Sequence, residues 1–279
     1  MVLKSISGLP YIVRVSGPDI PGFEERYQNL YPLLTPPIKA VWNSAEMVIA
    51  KCEAEAKMIR EVDSRGNIEI IPNGVDTDFF KPGLPIPDDG PLKLLCVARL
   101  IKRKGQHHLI QAVKQLTDQG VEVTLDLVGT GDAEQEYIDL VKSLQVEDRV
   151  NFQGYIPRIE MQAVYAQAHV FVLPSYNEGM SVATLEAMAS GLPVIVTDTP
   201  GTEDLVDEGI NGFTFSWGKI EKLTEKIKVL AEDRSATRSM GIRSTDIASE
   251  YSWGTSTNLF LKCIQDITKD NSLNVAAIT

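Results

Sequence analysis

Two carboxylates, Glu178 and Glu186, stand eight positions apart in Pro174–Ile195, PSYNEGMSVATLEAMASGLPVI, around the small-residue turn Gly179-Met180-Ser181. The apolar run Val170–Leu173 precedes them, and the helix-forming stretch Ala183–Ala189 follows. That order reads as a buried strand, a loop, and a helix whose first backbone N–H groups are free. Such a helix start attracts phosphate, because unpaired donors and the positive end of the dipole converge on one spot. Carboxylates beside a phosphate would repel it, so both glutamates are expected to bind neutral hydroxyls. Phosphate next to hydroxyls is the chemistry of a nucleotide sugar.

Arg99 and Lys104, in RLIKRKG, follow the apolar run that begins at Leu92. In open parallel sheets ligands bind beyond the carboxyl ends of the strands. There the two cations could converge on a diphosphate, Arg through its fork and Lys as a point charge. Lys102 and Arg103 keep a solvated basic turn as the alternative. Gly129-Thr130-Gly131-Asp132 lets backbone approach a ligand closely, or forms a tight strand–helix turn. It lacks the third glycine of a dinucleotide fingerprint, and Arg149 stands near where an acidic ribose ligand belongs, which excludes a NAD site. Gly154 and Tyr155 end a third strand and would offer main-chain groups and a ring to a base, or a turn. Asp76-Thr77-Asp78, after Pro72-Asn73-Gly74, reads as helix-capping and turn chemistry. His107, His108 and His169 have no Cys or carboxylate at metal-ligand spacing, and His107 is the best placed to face the site.

Five buried strands must position these residues. Leu92–Leu100, Val123–Gly129, Val150–Gly154, Val170–Ser175 and Pro193–Asp198 alternate with amphipathic stretches over Gly105–Gln119, Ala133–Leu144, Arg158–Ala168 and Val182–Ser190. Continuous β-branched runs indicate strands buried on both faces, hence a doubly wound parallel α/β sheet. Helices are expected over Ile220–Glu232, Ala236–Glu250 and Thr255–Lys269, with a frayed tail at Asp270–Thr279. Upstream, Tyr11–Val15 and Asn67–Ile71 read as strands and Val41–Ala50 as a strand–helix pair. Lys81–Gly90, KPGLPIPDDG, reads as a linker, dividing the chain into 1–88, 89–250 and a 251–279 helix and tail. The first segment holds too few strands for a complete α/β domain, so parts of Tyr11–Val15 and Val41–Ile49 are expected to expose apolar surface.

A formal charge of −11 and pI near 4.8 disfavour nucleic acid as a partner. Met1–Pro10 lacks the apolar stretch of a signal peptide, and no run approaches a bilayer span. Peripheral membrane contact stays open. Cys52, Cys96 and Cys263, odd in number and in no metal spacing, point to a reducing cytoplasm.

Together these residues resemble the retaining glycosyltransferases of group 1 (family 4), which have the two-domain GT-B fold. The resemblance runs over Val41–Phe260. It is carried by IPNGVDTDFFKP, Arg99-(x4)-Lys104-Gly105, Gly129-Thr130-Gly131-Asp132, Glu178-(x7)-Glu186 and GTEDLVDEGINGF. It implies a complete C-terminal Rossmann-like domain and an incomplete N-terminal α/β domain, whose missing half would be truncated or supplied in trans. It further implies transfer of a sugar from a UDP- or GDP-type donor to a sugar, lipid or small-molecule acceptor, with retention and without a metal or other cofactor. Arg99 and Lys104 would bind the diphosphate and Glu178 the donor sugar. Gly179, Met180, Ser181 and Val182 would hold sugar and phosphate through their backbone, Glu186 would accept both ribose hydroxyls, and Gly154 and Tyr155 would border the base. A catalytically silent nucleotide-sugar-binding module is the alternative reading.

Overall fold

The structure, a computed structural model, describes residues 8–276, so Met1–Ser7 and the end of the expected tail lie outside the described residues. The chain divides into two compact units, Val75–Ser252 and Met1–Gly74 with Trp253–Thr279. Both are α/β units with parallel sheets, the expected class.

Val75–Ser252 is built on six parallel strands: β4 (Leu92–Val97), β5 (Val123–Val128), β6 (Val150–Gly154), β7 (Val170–Leu173), β8 (Val194–Thr197) and β9 (Gly212–Phe215). Their order across the sheet is β6-β5-β4-β7-β8-β9. The helices are α3 (Gln106–Asp118), α4 (Glu134–Leu144), α5 (Arg158–Gln167), α6 (Val182–Ala189), α7 (Ile220–Glu232) and α8 (Arg234–Glu250). Every strand expected between Leu92 and Asp198 is present, and the helix bounds fall close to those read from periodicity. The sixth strand, β9, was not expected: its four residues begin at a glycine and carry no β-branched run. Segment 81–90 lies within this unit. The chain runs outward from β4 to β6 and then returns to place β7 against β4, Leu94 opposite Val170. In open parallel sheets such a reversal of strand order marks where ligands bind, at the carboxyl ends of the strands.

At the amino ends, His169 ties β7 to β4. Its Nδ1 accepts from the Lys93 N–H at 3.2 Å, and its own N–H donates to the Lys93 carbonyl at 2.9 Å. Burial lowers its pKa to about 4, and lowers that of His108 to about 4 as well. Between the unfolded value of about 6.5 and the folded value, only the unfolded chain binds these protons. Stability is therefore full above pH 6.5 and falls as pH drops toward 4, by on the order of 1–2 kcal/mol per histidine after solvent screening. Urea midpoints measured across that window are expected to slope this way, and His169→Asn, which keeps an acceptor, to lose part of the slope.

The other unit carries the parallel sheet β1-β2-β3: β1 (Ile12–Arg14), β2 (Met47–Ala50) and β3 (Ile68–Ile70). Its helices are α1 (Tyr31–Ser44), α2 (Glu53–Val62) and α9 (Trp253–Ala276). The order over Val41–Ala50 is helix then strand, the reverse of that expected. Pro36 and Pro37 lie inside α1, where sequence reasoning takes proline as a breaker. The exposure expected of parts of Val41–Ile49 does not reach β2, which is buried throughout, whereas Val41 is only partly buried. Met47 and Ile49 pack with Ile71 and with Phe260, Cys263 and Ile267 of α9, while Val48 and Ala50 pack with Trp42, Ala56 and Ile59. Leu30, Leu33 and Leu34 are the apolar side chains exposed around the start of α1. Helix α9 continues to Ala276, past the fray expected at Asp270. Among the described residues no helix is long and apolar enough to cross a membrane.

Candidate donor site

Between β4 and α3 the chain makes a short helical turn, Lys102–Lys104, closed by Gly105 at φ +70°. A Cβ on Gly105 would sit 1.9 Å from the Pro174 carbonyl oxygen and 2.6 Å from the Trp217 ring. Only glycine lets the β4 loop touch the β7 loop so closely. Their contact brings Lys104 to Glu178: the ammonium donates to Glu178 Oε1, with the two side chains only 16% and 20% exposed. Sequence reasoning assigned one to phosphate and the other to sugar, and the fold makes them neighbours.

The β7 loop is fixed from its other side by the loop after β8. Thr197 Oγ1 donates to the Ser175 carbonyl, and the Gly201 N–H donates to the Glu178 carbonyl at 3.2 Å. Glu178, Gly179 and Ser181 line a narrow cleft with Thr184, Thr197, Thr199, Gly201 and Thr202. Met180 is buried and Val182 exposed. The expectation that all first amides of α6 are free is corrected at one of them. Ser181 is the N-cap, and its side chain accepts from the Thr184 N–H at 3.2 Å.

Glu186 is 7% exposed on the inner face of α6. Arg158, at the start of α5, donates to its Oε1 at 2.8 Å, and Tyr165 on the same helix donates to Oε2 at 3.1 Å. Burial raises the Glu186 pKa, and the hydrogen bond from Tyr165 and the charge of Arg158 oppose the rise. The Arg158 guanidinium lies 5.5 Å from the Phe80 ring centre.

Arg99 is exposed at the end of the β4 run, and its carbonyl accepts from Gln106 Nε2 at 2.9 Å. Gly129, at φ +130°, and Gly131 would each place a Cβ 2.2 Å from a carbonyl oxygen, of Ala98 and Leu100 respectively. The close approach these glycines permit is to the protein's own β4 loop. Gly129 N–H donates to the Gly154 carbonyl at 2.8 Å, tying the ends of β5 and β6, while the Tyr155 ring is 76% exposed. His107 does not line the narrow cleft. Its ring lies 4.0 Å from that of His108 and 6.0 Å from that of Tyr137, in an aromatic cluster against Trp217. Asp76 Oδ1 accepts from the N–H groups of Asp78 and Phe79 at 3.2 and 2.9 Å, which is turn chemistry. Among the described residues no three His, Cys, Asp or Glu side chains cluster to hold a metal.

Gln106, Arg158 and Tyr165 were missed. Gln106 had a signal: it falls three before Leu109 on the apolar face of α3, and a polar side chain there must find a buried partner. Arg158 and Tyr165 had none, because a helix start and one ring on a helix face do not reveal a glutamate two elements away.

The family model of the group 1 glycosyl transferases matches residues 76–246. WcaL of Escherichia coli (strain K12), a glycosyltransferase assigned to colanic acid biosynthesis, is 30% identical over 205 residues, 71% of this chain and 50% of WcaL. The chain spans about half the length of the curated relatives it matches. Sucrose-phosphate synthase from Thermosynechococcus elongatus superposes with a TM-score of 0.84 at 25% identity, over 96% of this chain and 70% of that one. Anabaena Alr3699/HepE in complex with UDP gives 0.81 at 25% identity, over 95% and 74%. These likenesses carry the expected GT-B fold class.

Proposed function

The chain belongs to the group 1 glycosyl transferases, and on that premise we propose that it carries the donor half-site of an enzyme moving a sugar from a nucleotide-diphosphate sugar to an acceptor. The observation that carries this is the meeting of Lys104 and Glu178 at the carboxyl ends of β4 and β7. One cation suits a diphosphate and one carboxylate suits the hydroxyls of the sugar attached to it. In the reading we favour, Arg99 and Lys104 hold the diphosphate, and the amides of Gly179–Val182 add donors around sugar and phosphate. These groups supply the positive charge that a metal would otherwise bring to the leaving nucleotide. Glu186 takes the ribose hydroxyls, with Gly129, Gly131, Gly154 and Tyr155 around the rest of the nucleotide. Lys104 and Glu178 then exchange their mutual contact for contacts to the donor.

Retention follows from attack on the face the phosphate leaves. The acceptor oxygen bonds to the anomeric carbon as the bond from that carbon to the phosphate oxygen breaks, and the acceptor proton passes to the departing phosphate. No enzymic nucleophile is needed. We assign residues 89–250 to donor binding, 1–88 to the acceptor side and 251–279 to a closing helix and tail. The acceptor is a sugar, lipid or small molecule, and contact with a membrane surface is compatible with a lipid acceptor. The odd number and wide spacing of Cys52, Cys96 and Cys263 suit a cytoplasmic setting.

Release of UDP from UDP-glucose, with and without sugar acceptors, tests the reading. Turnover lowered at least about tenfold by Glu178→Gln is expected, the loss of about one charge-assisted contact. Donor binding without any turnover would instead make the chain a silent nucleotide-sugar-binding module.

A further inference from the structure

Glu186 is a carboxylate with both oxygens already engaged. An ionised carboxylate offers about four lone-pair directions. Arg158 takes one on Oε1 at 2.8 Å and Tyr165 one on Oε2 at 3.1 Å, leaving one on each oxygen. The two partners differ in kind. Tyr165 is fully buried, whereas the Arg158 side chain is 61% exposed and reaches Glu186 from the solvent side, passing over Phe80. Arg158 opens α5 just beyond Gly154 and Tyr155, the turn assigned to the base. It therefore stands where a nucleoside would lie between its base and its ribose.

We infer that Arg158 is a positioning residue for the ribose: by holding Glu186 Oε1 it fixes the carboxylate so that one free lone pair on each oxygen meets the 2′- and 3′-hydroxyls. This rests on the donor reading above and adds to it a residue that acts through Glu186. Tyr165 alone would anchor one oxygen and leave the carboxylate free to rotate about that anchor.

The second consequence is electrostatic. Burial disfavours the charged form of Glu186, and Arg158 opposes that both by its charge and by its hydrogen bond. Only the ionised form accepts two hydroxyls at once, since a protonated carboxyl spends one oxygen as a donor. The groups facing Glu186 are few. Tyr165 and Arg158 lie on α5, and α6 itself carries no other charged residue. Beyond Tyr165 lies the Cys96 thiol of β4, which burial pushes up to about 12 and so keeps neutral. The Tyr165 hydrogen bond and then Arg158 oppose the effect of burial on Glu186, and Arg158 is the cation among the groups that favour its ionised, accepting form.

The test is calorimetric titration with the tighter of UDP and GDP and with its 2′-deoxy form, across pH, for the wild type, Arg158→Met and Arg158→Lys. The wild type is expected to prefer the ribonucleotide by about tenfold, one lost hydrogen bond to a charged group. Arg158→Met should collapse that preference and move the acid-side loss of affinity to higher pH. Arg158→Lys should restore much of both. A merely structural role would weaken both nucleotides equally and leave the pH profile in place, and that result overturns the inference alone. Wild-type protein that binds neither diphosphate would instead overturn the donor reading on which the inference rests.

Discussion

Gly105→Ala is expected to destabilise the protein by about 3 kcal/mol and to reduce nucleotide affinity with it. Two costs add. The positive φ strains any L side chain by roughly 1–2 kcal/mol. The new methyl also meets the Pro174 carbonyl and the Trp217 ring, a backbone atom and a packed indole that cannot yield without moving the two loops. Overpacking of that kind costs about 1–3 kcal/mol. Gly120 supplies the control, because its φ of +73° is nearly the same and a Cβ there would meet nothing within 4 Å. Gly120→Ala should therefore lose only the backbone part, about 1 kcal/mol. Urea denaturation of both variants checks this. Equal losses would mean that contact between the β4 and β7 loops does not constrain the turn.

Lys104 and Glu178 offer the second large effect. Each side chain is about four-fifths buried, so removing one partner leaves a charge in a poorly solvated place. Lys104→Met and Glu178→Gln are each expected to cost about 2–3 kcal/mol, below the roughly 3–5 kcal/mol of a fully buried broken pair because some solvent reaches them. Lys104→Met with Glu178→Gln should cost clearly less than the sum, with a coupling of about 1 kcal/mol or more. Thermal melts of the four proteins give the cycle, and additive losses would mean that the pair is not formed in solution. The same pairing has a functional side: two side chains that hold one another stay in place until a diphosphate and a sugar hydroxyl replace them.

Much of this was legible from residue order. Strands β4 to β8 announce themselves as short continuous apolar runs, and their alternation with helical periodicity leaves few topologies open. β9 escaped because four residues opening with glycine carry no such run. Helix α1 escaped because its prolines argue against a helix that burial of Tyr31 and Trp42 nonetheless supports. The chemistry of Lys104 and Glu178 could be guessed from their types and from the ends of the strands before them. Their meeting could not, since 74 residues separate them and only the strand order sets β7 beside β4. The roles of Gly129 and Gly131 were legible as close approach, but not which partner they approach. Arg158 lay hidden for a related reason: a lone arginine at a helix start is the commonest of surface residues until the fold places a buried carboxylate 2.8 Å away.

The central claim is that the loops at the carboxyl ends of β4 and β7 form a nucleoside-diphosphate site. Isothermal titration of the chain with UDP, GDP and ADP tests it most directly, with Glu186→Ala and Lys104→Ala measured alongside. Saturable binding of at least one diphosphate is predicted, weakened by roughly tenfold in each variant, as the loss of one charge-assisted contact requires. Absence of binding by all three nucleotides, or binding that neither substitution alters, would contradict it.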